Sequence, residues 1–433
     1  MEHELRINPT FGYIPDISKN NSPGFIDINE RQYLRLLAEK VAIASNDPIQ
    51  AEKRALWLSH NRLEKTRPLV MVFPENAWYE MINPSSLKIA DPFWRQIEWE
   101  LTHLIYRYER LNDDFVVEPF FDAHSTVHIS DWGVTTEYTK VDDHGSYCWK
   151  PPLKEERDLE SLKFPSIKED EQVTNNIYEV LSDIFSDILP IRRQCGIRLG
   201  INIVTTAAFL RGIEQLMIDM YERPEWLHKL LAYITDGYSQ MIDYLDSGGY
   251  FTLNNGNHYV DTGGLGYSDE LPGKNSIDDH VRARDLWTYS AAQEYSWVSP
   301  AMHDEFGLMY QEKLLSRFAL VSYGCCEPLN KKFDIIKRLP NLRRVSVSPW
   351  CDVELATDAL KDKYVFSWKP HPASFSIGFD ENVIRKDIQQ TLQITKGTVL
   401  EVILKDTLTV QNDPSRFERW IGIVQEEIDR IYC

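Results

Sequence analysis

The chain contains no apolar run long enough to cross a bilayer, which excludes a helical membrane-spanning protein. Positive charge is scarce: 47 Lys and Arg stand against 66 Asp and Glu, a formal net charge of −19. That balance excludes a nucleic-acid phosphate backbone as the main partner. The first residues, MEHELRINPT, lack the basic-then-apolar layout of a secretion signal, so the expected location is cytoplasmic. Six cysteines in 433 residues, without such a signal, exclude a disulfide framework and predict free thiols. No Gly-rich phosphate loop follows any apolar run, and there is no internal repeat or low-complexity tract.

What is present is enough apolar and aromatic material, 43% and 12%, for a large core. Strand-like apolar runs fall at residues 69–73, 115–121, 199–204, 250–253, 318–322, 344–348, 364–368 and 399–404. Helical patterns separate them. Asp27-Ile-Asn-Glu30 has the form of a capping box, with Tyr33, Leu36, Leu37, Val41 and Ala44 at helical spacing. Asp91-Pro92 opens a helix to about residue 111, and Pro224 opens another to about 245. Further helices are predicted near 329–338, 353–361, 381–394 and 414–431. Alternating strands and helices imply right-handed βαβ units on a parallel sheet. The predicted class is α/β, a (β/α)8 TIM barrel. An N-terminal helical extension (1–65) precedes the barrel (66–433), which carries a β-hairpin inserted at about 130–165.

In such barrels chemistry sits beyond the C-terminal ends of the strands. The exits present Glu75, then Asp122 with His124, then Thr205 with Thr206. Asn254, Asn255, Asn257 and His258 follow, then Tyr323, Cys325, Cys326 and Glu327, then Cys351 with Asp352. Lys369 with His371, and Lys405 with Asp406, complete the set. Glu327-Pro328 resembles a helix start, whose partial positive charge would favour thiolate at Cys325 and Cys326. Adjacent residues of an extended strand face opposite ways, so one of the two thiols is expected to be structural. Thiolates of this pair with Cys351, and His or Glu, make a candidate zinc shell with an open position.

Several segments carry a resemblance. They are Leu210-Arg-Gly-Ile-Glu-Gln-Leu216, Glu222-Arg-Pro-Glu-Trp-Leu-His-Lys-Leu-Leu231 and Ser299-Pro-Ala-Met-His-Asp-Glu-Phe306, followed by Arg344-Val-Ser-Val-Ser-Pro-Trp-Cys-Asp352 and Trp368-Lys-Pro-His-Pro372. In this order, over more than half the chain, they resemble the uroporphyrinogen decarboxylase superfamily of barrels. That superfamily holds porphyrinogen decarboxylases and corrinoid-dependent methyltransferases. The decarboxylases' N-terminal arginine pattern is absent, since residues 14–24 hold no arginine. The methyltransferases' zinc-binding His-x-Cys reads Tyr323-Gly324-Cys325 here, and residues 401–407 contain no cysteine.

The resemblance therefore implies a methyltransferase-like enzyme moving a methyl group between a corrinoid (cobalamin), free or on a corrinoid protein, and a small thiol or other acceptor. Zinc would assist, held by Cys325 or Cys326 with Cys351, and Glu327, His258, His371 or Glu401 would complete the shell. Glu75, His124, His258 and Lys405 are the expected catalytic residues, and Asp122, Asn255, Asn257, Tyr323, Lys369 and His371 the substrate-binding ones. A homodimer follows from the family. Two alternatives stand beside it: a metal-free decarboxylase or lyase of a small carboxylate using Lys369, His371 and Lys405, and a non-catalytic corrinoid- or tetrapyrrole-binding barrel.

Overall fold

A computed structural model of the chain describes residues 22–140, 147–195, 199–260, 263–273 and 280–432. The strands in chain order are β1 (Leu69–Val72), β2 (Phe121–His124), β3 (Val127–Ile129), β4 (Glu137–Lys140), β5 (Tyr147–Lys150) and β6 (Ile167–Glu169). They continue with β7 (Ile191–Gln194), β8 (Trp287–Ser290), β9 (Leu320–Tyr323), β10 (Leu342–Val347), β11 (Val365–Trp368) and β12 (Val399–Leu404). Six form one parallel sheet in the order β1-β12-β11-β10-β9-β8. β2 and β7 form a separate parallel pair. Two antiparallel ribbons, β3 with β6 and β4 with β5, fall within or beside the predicted insertion. The turn predicted at residues 142–145 lies outside the described residues.

The two faces of the sheet differ because side chains alternate along each strand. Val70, Val72, Val345, Val347, Phe366, Trp368, Val402 and Leu404 share a core with Phe417, Trp420, Ile421 and Val424 of the Ser415–Tyr432 helix. The other face carries Leu69, Met71 and Ile403, which pack on Trp57 of the Pro48–Asn61 helix. The same face holds polar groups: Arg344 and Glu401 are fully buried, their Nε and Oε1 atoms 3.1 Å apart. His60 reaches Glu401 Oε2 at 3.2 Å, and the Gly264 N–H donates to Glu401 Oε1. Burial alone would raise the Glu401 carboxyl, but Arg344 and His60 outweigh it and hold it at about 2. Burial pushes His60 below its ordinary value, so it meets Glu401 as a neutral donor.

Most predicted helices appear. The capping box at Asp27 and Glu30 opens Ile28–Ser45. Asp91 caps Pro92–Arg110 by accepting from Phe93 and Trp94, and Pro224–Gly248 ends at Gly249 with φ of 64°. Four predictions need correction. Of the run 115–121, only Phe121 enters a strand. Residues 199–204 form no strand: Ile203 begins the helix Ile203–Arg211. In 250–253 only Phe251 makes a bridge, to Val281. The predicted helix near 329–338 shrinks to Phe333–Ile336.

At the sheet edges side chains share the pairing with single backbone bonds, the Ile201 N–H donating to the Tyr289 carbonyl and the Asp114 N–H to the Val70 carbonyl, each at 2.8 Å. Asn254 exchanges two hydrogen bonds with the Trp287 backbone. Thr288 and Ser290 donate to the carbonyls of Leu199 and Ile201, and the Cys195 N–H donates to Thr252. On the other edge, Asp113 and Asp114 accept from the Val72 and Val70 N–H groups. No described helix is long and apolar enough to cross a membrane.

Candidate active site

Lys369 lies one residue beyond β11, and strand alternation places it on the polar face above Ser367. Its backbone N–H donates to Val347, and its ammonium donates to Ser346 Oγ on β10. Ser346 in turn donates to the Cys325 carbonyl at 2.9 Å. Lys369 is 2% exposed. Burial, then the neighbouring Lys405 cation, pushes its amine down to about 8. Lys405, just past β12, acts electrostatically on Lys369, Glu75, Cys325 and Cys326 together, so one cation links the exits of β1, β9, β11 and β12.

Glu75 follows β1 with φ of 49°, and Asp406 follows β12 with φ of 58°. Left-handed backbone is uncommon for such residues and marks a locally constrained exit. The Glu75 carboxylate accepts the Asp406 and Thr407 N–H groups; burial raises its pKa, and Lys405 opposes that.

The cysteine pair departs from the sequence expectation. β9 ends at Tyr323 and Gly324 takes φ of 97°, so Cys325 and Cys326 leave the pleat and their sulfurs converge to 3.5 Å. A Cβ on Gly324 would meet Leu329 and Ser346 at 3.2 Å. No helix begins at Pro328, so helix charge does not act on these thiols. Instead the hydrogen bond between them, together with burial, pushes Cys325 well above the thiol range. The same bond lowers Cys326 against the effect of burial, and Lys405 adds to the lowering.

Glu327 sits beneath the pair with both oxygens engaged, accepting from Cys325 N–H at 2.8 Å and Ala292 N–H at 3.2 Å. Cys351 is buried, and its sulfur accepts the Leu329 N–H at 3.3 Å. Burial raises its pKa. Among the described residues no three His, Cys, Asp or Glu side chains form a group able to hold a metal ion. Both Glu327 oxygens and the Cys351 sulfur thus accept backbone N–H groups of the chain itself.

The remaining predicted residues are placed as follows. Asp122 pairs with Arg192 across β2 and β7 at 2.9 Å. His124 ends β2, in register with Gln194, whose amide lies 3.2 Å from His258 Nε2. Asn255 holds the loop carbonyls of Ser268 and Leu271, and Asn257 is half-buried in the same loop. His371 caps the short helix Pro372–Ser376 through Nδ1. Tyr323 is fully buried in the core shared with the helices, its hydroxyl 2.9 Å from His303 Nε2 and 3.5 Å from Gln311. Burial drives His303 down to about 3, so this contact joins two neutral groups.

Sequence reasoning missed Ser346, Glu294 and Lys332. Burial raises Glu294, and pushes Lys332 down to about 8 where its ammonium meets the Tyr295 carbonyl. Glu294 follows β8, a strand hidden in the short mixed sequence Trp-Thr-Tyr-Ser.

The arrangement defines an α/β protein whose parallel sheet gathers amines, thiols and a carboxylate beyond adjacent strand ends. No known protein-family profile matches the chain, and no curated protein sequence does. Among solved structures it is similar in fold to a methyltransferase from Methanosarcina mazei. The TM-score is 0.51 with 11% identity, over 88% of this chain and 99% of that one.

Proposed function

We propose that the chain is a methyltransferase-like enzyme in which a methyl group passes between a corrinoid and a small thiol acceptor. The observation that carries this is the convergence of Lys369, Lys405, Cys325, Cys326 and Glu75 beyond β1, β9, β11 and β12. In the proposal the fold is a closed (β/α)8 barrel, the side-chain hydrogen bonds at both sheet edges standing where further strands would pair. Exposed Trp297, Trp350 and Leu408, at 94%, 61% and 61%, lie in loops that follow β8, β10 and β12. In the proposal these three side chains meet a large flat donor such as a corrinoid, free or protein-bound.

The chain's part in the reaction follows from charge. Methyl transfer to sulfur needs thiolate, because the thiol form is a poor nucleophile. Lys369 takes the acceptor's S–H proton, since an amine held near pH 8 is a competent base at neutral pH. Lys405 stabilises the resulting sulfur anion electrostatically. The thiolate then attacks the methyl carbon, and the cobalt–carbon bonding pair stays with cobalt.

A second possibility, a metal-free lyase of a small carboxylate, is favoured by one observation: a depressed Lys369 amine beside a second cation can stabilise developing negative charge. Incubating the protein with methylcobalamin and a panel of thiols separates the two. Methylated thiol that falls at least tenfold in Lys405→Met supports methyl transfer. No methylated product from any thiol, with release of carbon dioxide from a small carboxylate, overturns it.

A further inference from the structure

We infer that Cys325 and Cys326 form a redox-active vicinal dithiol, which reduces low-molecular-weight disulfides and closes into a disulfide between adjacent residues. Four observations carry this. The sulfurs stand 3.5 Å apart, and closure to a bond of about 2.05 Å gives a strained ring, because consecutive Cα atoms are about 3.8 Å apart and the usual disulfide span is about 4.4–6.8 Å; the closed form is therefore readily reduced again. The pair lies outside the strand, after Gly324 with φ of 97°, where no sheet hydrogen bond holds it flat. Both residues are part-exposed, whereas Cys195 and Cys351 are buried. Glu327 grips the Cys325 backbone N–H and the Ala292 N–H, fixing the loop from below without engaging either sulfur.

The reaction balances within the pair and its co-substrate. One cysteine thiolate attacks a sulfur of RSSR; that S–S bond breaks, a mixed disulfide forms, and RS⁻ leaves to take up a proton. The second cysteine thiolate attacks the protein sulfur of the mixed disulfide and releases the second RSH. The protein loses two protons and two electrons, and RSSR becomes two RSH. None of this depends on the methyl-transfer proposal.

The test uses the full-length reduced protein, glutathione disulfide as oxidant, and intact-mass and peptide mass spectrometry. Wild type is expected to lose two hydrogens at the 325–326 peptide while keeping no glutathione there. Cys325→Ser and Cys326→Ser should each retain one glutathione on the remaining cysteine of the pair. Dithiothreitol should reverse all three. A second measurement on unmutated protein uses phenylarsine oxide, which bridges two thiols: prior treatment should block oxidation of the pair. Glutathione retained on Cys325 or Cys326 in wild type without ring closure would overturn the inference. So would a pair that stays reduced while exposed Cys148 is modified.

Discussion

Replacing Lys369 by methionine is expected to stabilise the protein at neutral pH and to abolish its chemistry. The amine is pushed to about 8 in the folded chain, against an ordinary 10.5. At pH 7 both states are mostly protonated, so the folded state carries the whole cost of burying the ammonium. One pKa unit corresponds to about 1.4 kcal/mol, so a displacement of roughly 2.5 units costs about 3.5 kcal/mol. Methionine removes that cost but also the donor to Ser346, a net hydrogen bond of about 1 kcal/mol. A gain of about 2.5 kcal/mol remains.

The sign with pH is fixed by linkage. Because the folded pKa is depressed, wild-type stability rises with pH between about 8 and 10.5, where the unfolded chain binds more protons. The methionine variant lacks that rise, so the two stability curves converge at alkaline pH. Urea denaturation of both proteins from pH 7 to 10.5 measures the difference. A variant less stable than wild type at pH 7, or a difference that does not change with pH, would refute the reasoning.

The buried Arg344–Glu401 pair gives a second case. Glu401→Gln should lower stability by about 3–5 kcal/mol by leaving the guanidinium uncompensated, and the double variant Glu401→Gln/Arg344→Met should recover much of that loss by urea melt. Glu401 is held at about 2 in the folded chain, below its ordinary 4.5. Its share of stability is therefore full above about pH 4.5 and drains away as pH falls toward 2; a pH titration of the melt in which Glu401→Gln flattens this limb would show it. Tyr323→Phe should cost about 1–2 kcal/mol through the partner lost to His303 while leaving turnover within twofold; a large fall in turnover at unchanged stability would place Tyr323 in the chemistry instead.

How much of this was legible in the sequence depended on what held each segment. Residues 399–404 and 381–394 matched their predicted bounds because strong periodicity and tertiary packing agree there. Residues 199–204 and 250–253 look equally apolar, yet beyond one backbone bond from Ile201 to Tyr289 they are tied by the Thr252, Asn254, Thr288 and Ser290 side chains, which periodicity does not encode. β7, with the sequence Ile-Arg-Arg-Gln, was invisible for the opposite reason, having almost no apolar signal. Lys369 and Lys405 were found by following each run to its exit. Ser346 and Glu401 lie inside apolar runs, and only the register of neighbouring strands reveals that they meet Lys369 and Arg344. The convergence of Cys325 and Cys326 hinged on the left-handed turn at Gly324, which a pleated-strand rule inverted.

In the proposed methyl transfer the working groups are the Lys369 and Lys405 amines beyond β11 and β12. The most direct test is the pH–rate profile of methyl transfer from methylcobalamin to a thiol acceptor, in wild type and Lys369→Met. The account predicts a wild-type rate that rises with pH through a midpoint near 8, and a variant at least about 100-fold slower that has lost this limb. Equal rates and parallel profiles for the two proteins would contradict it.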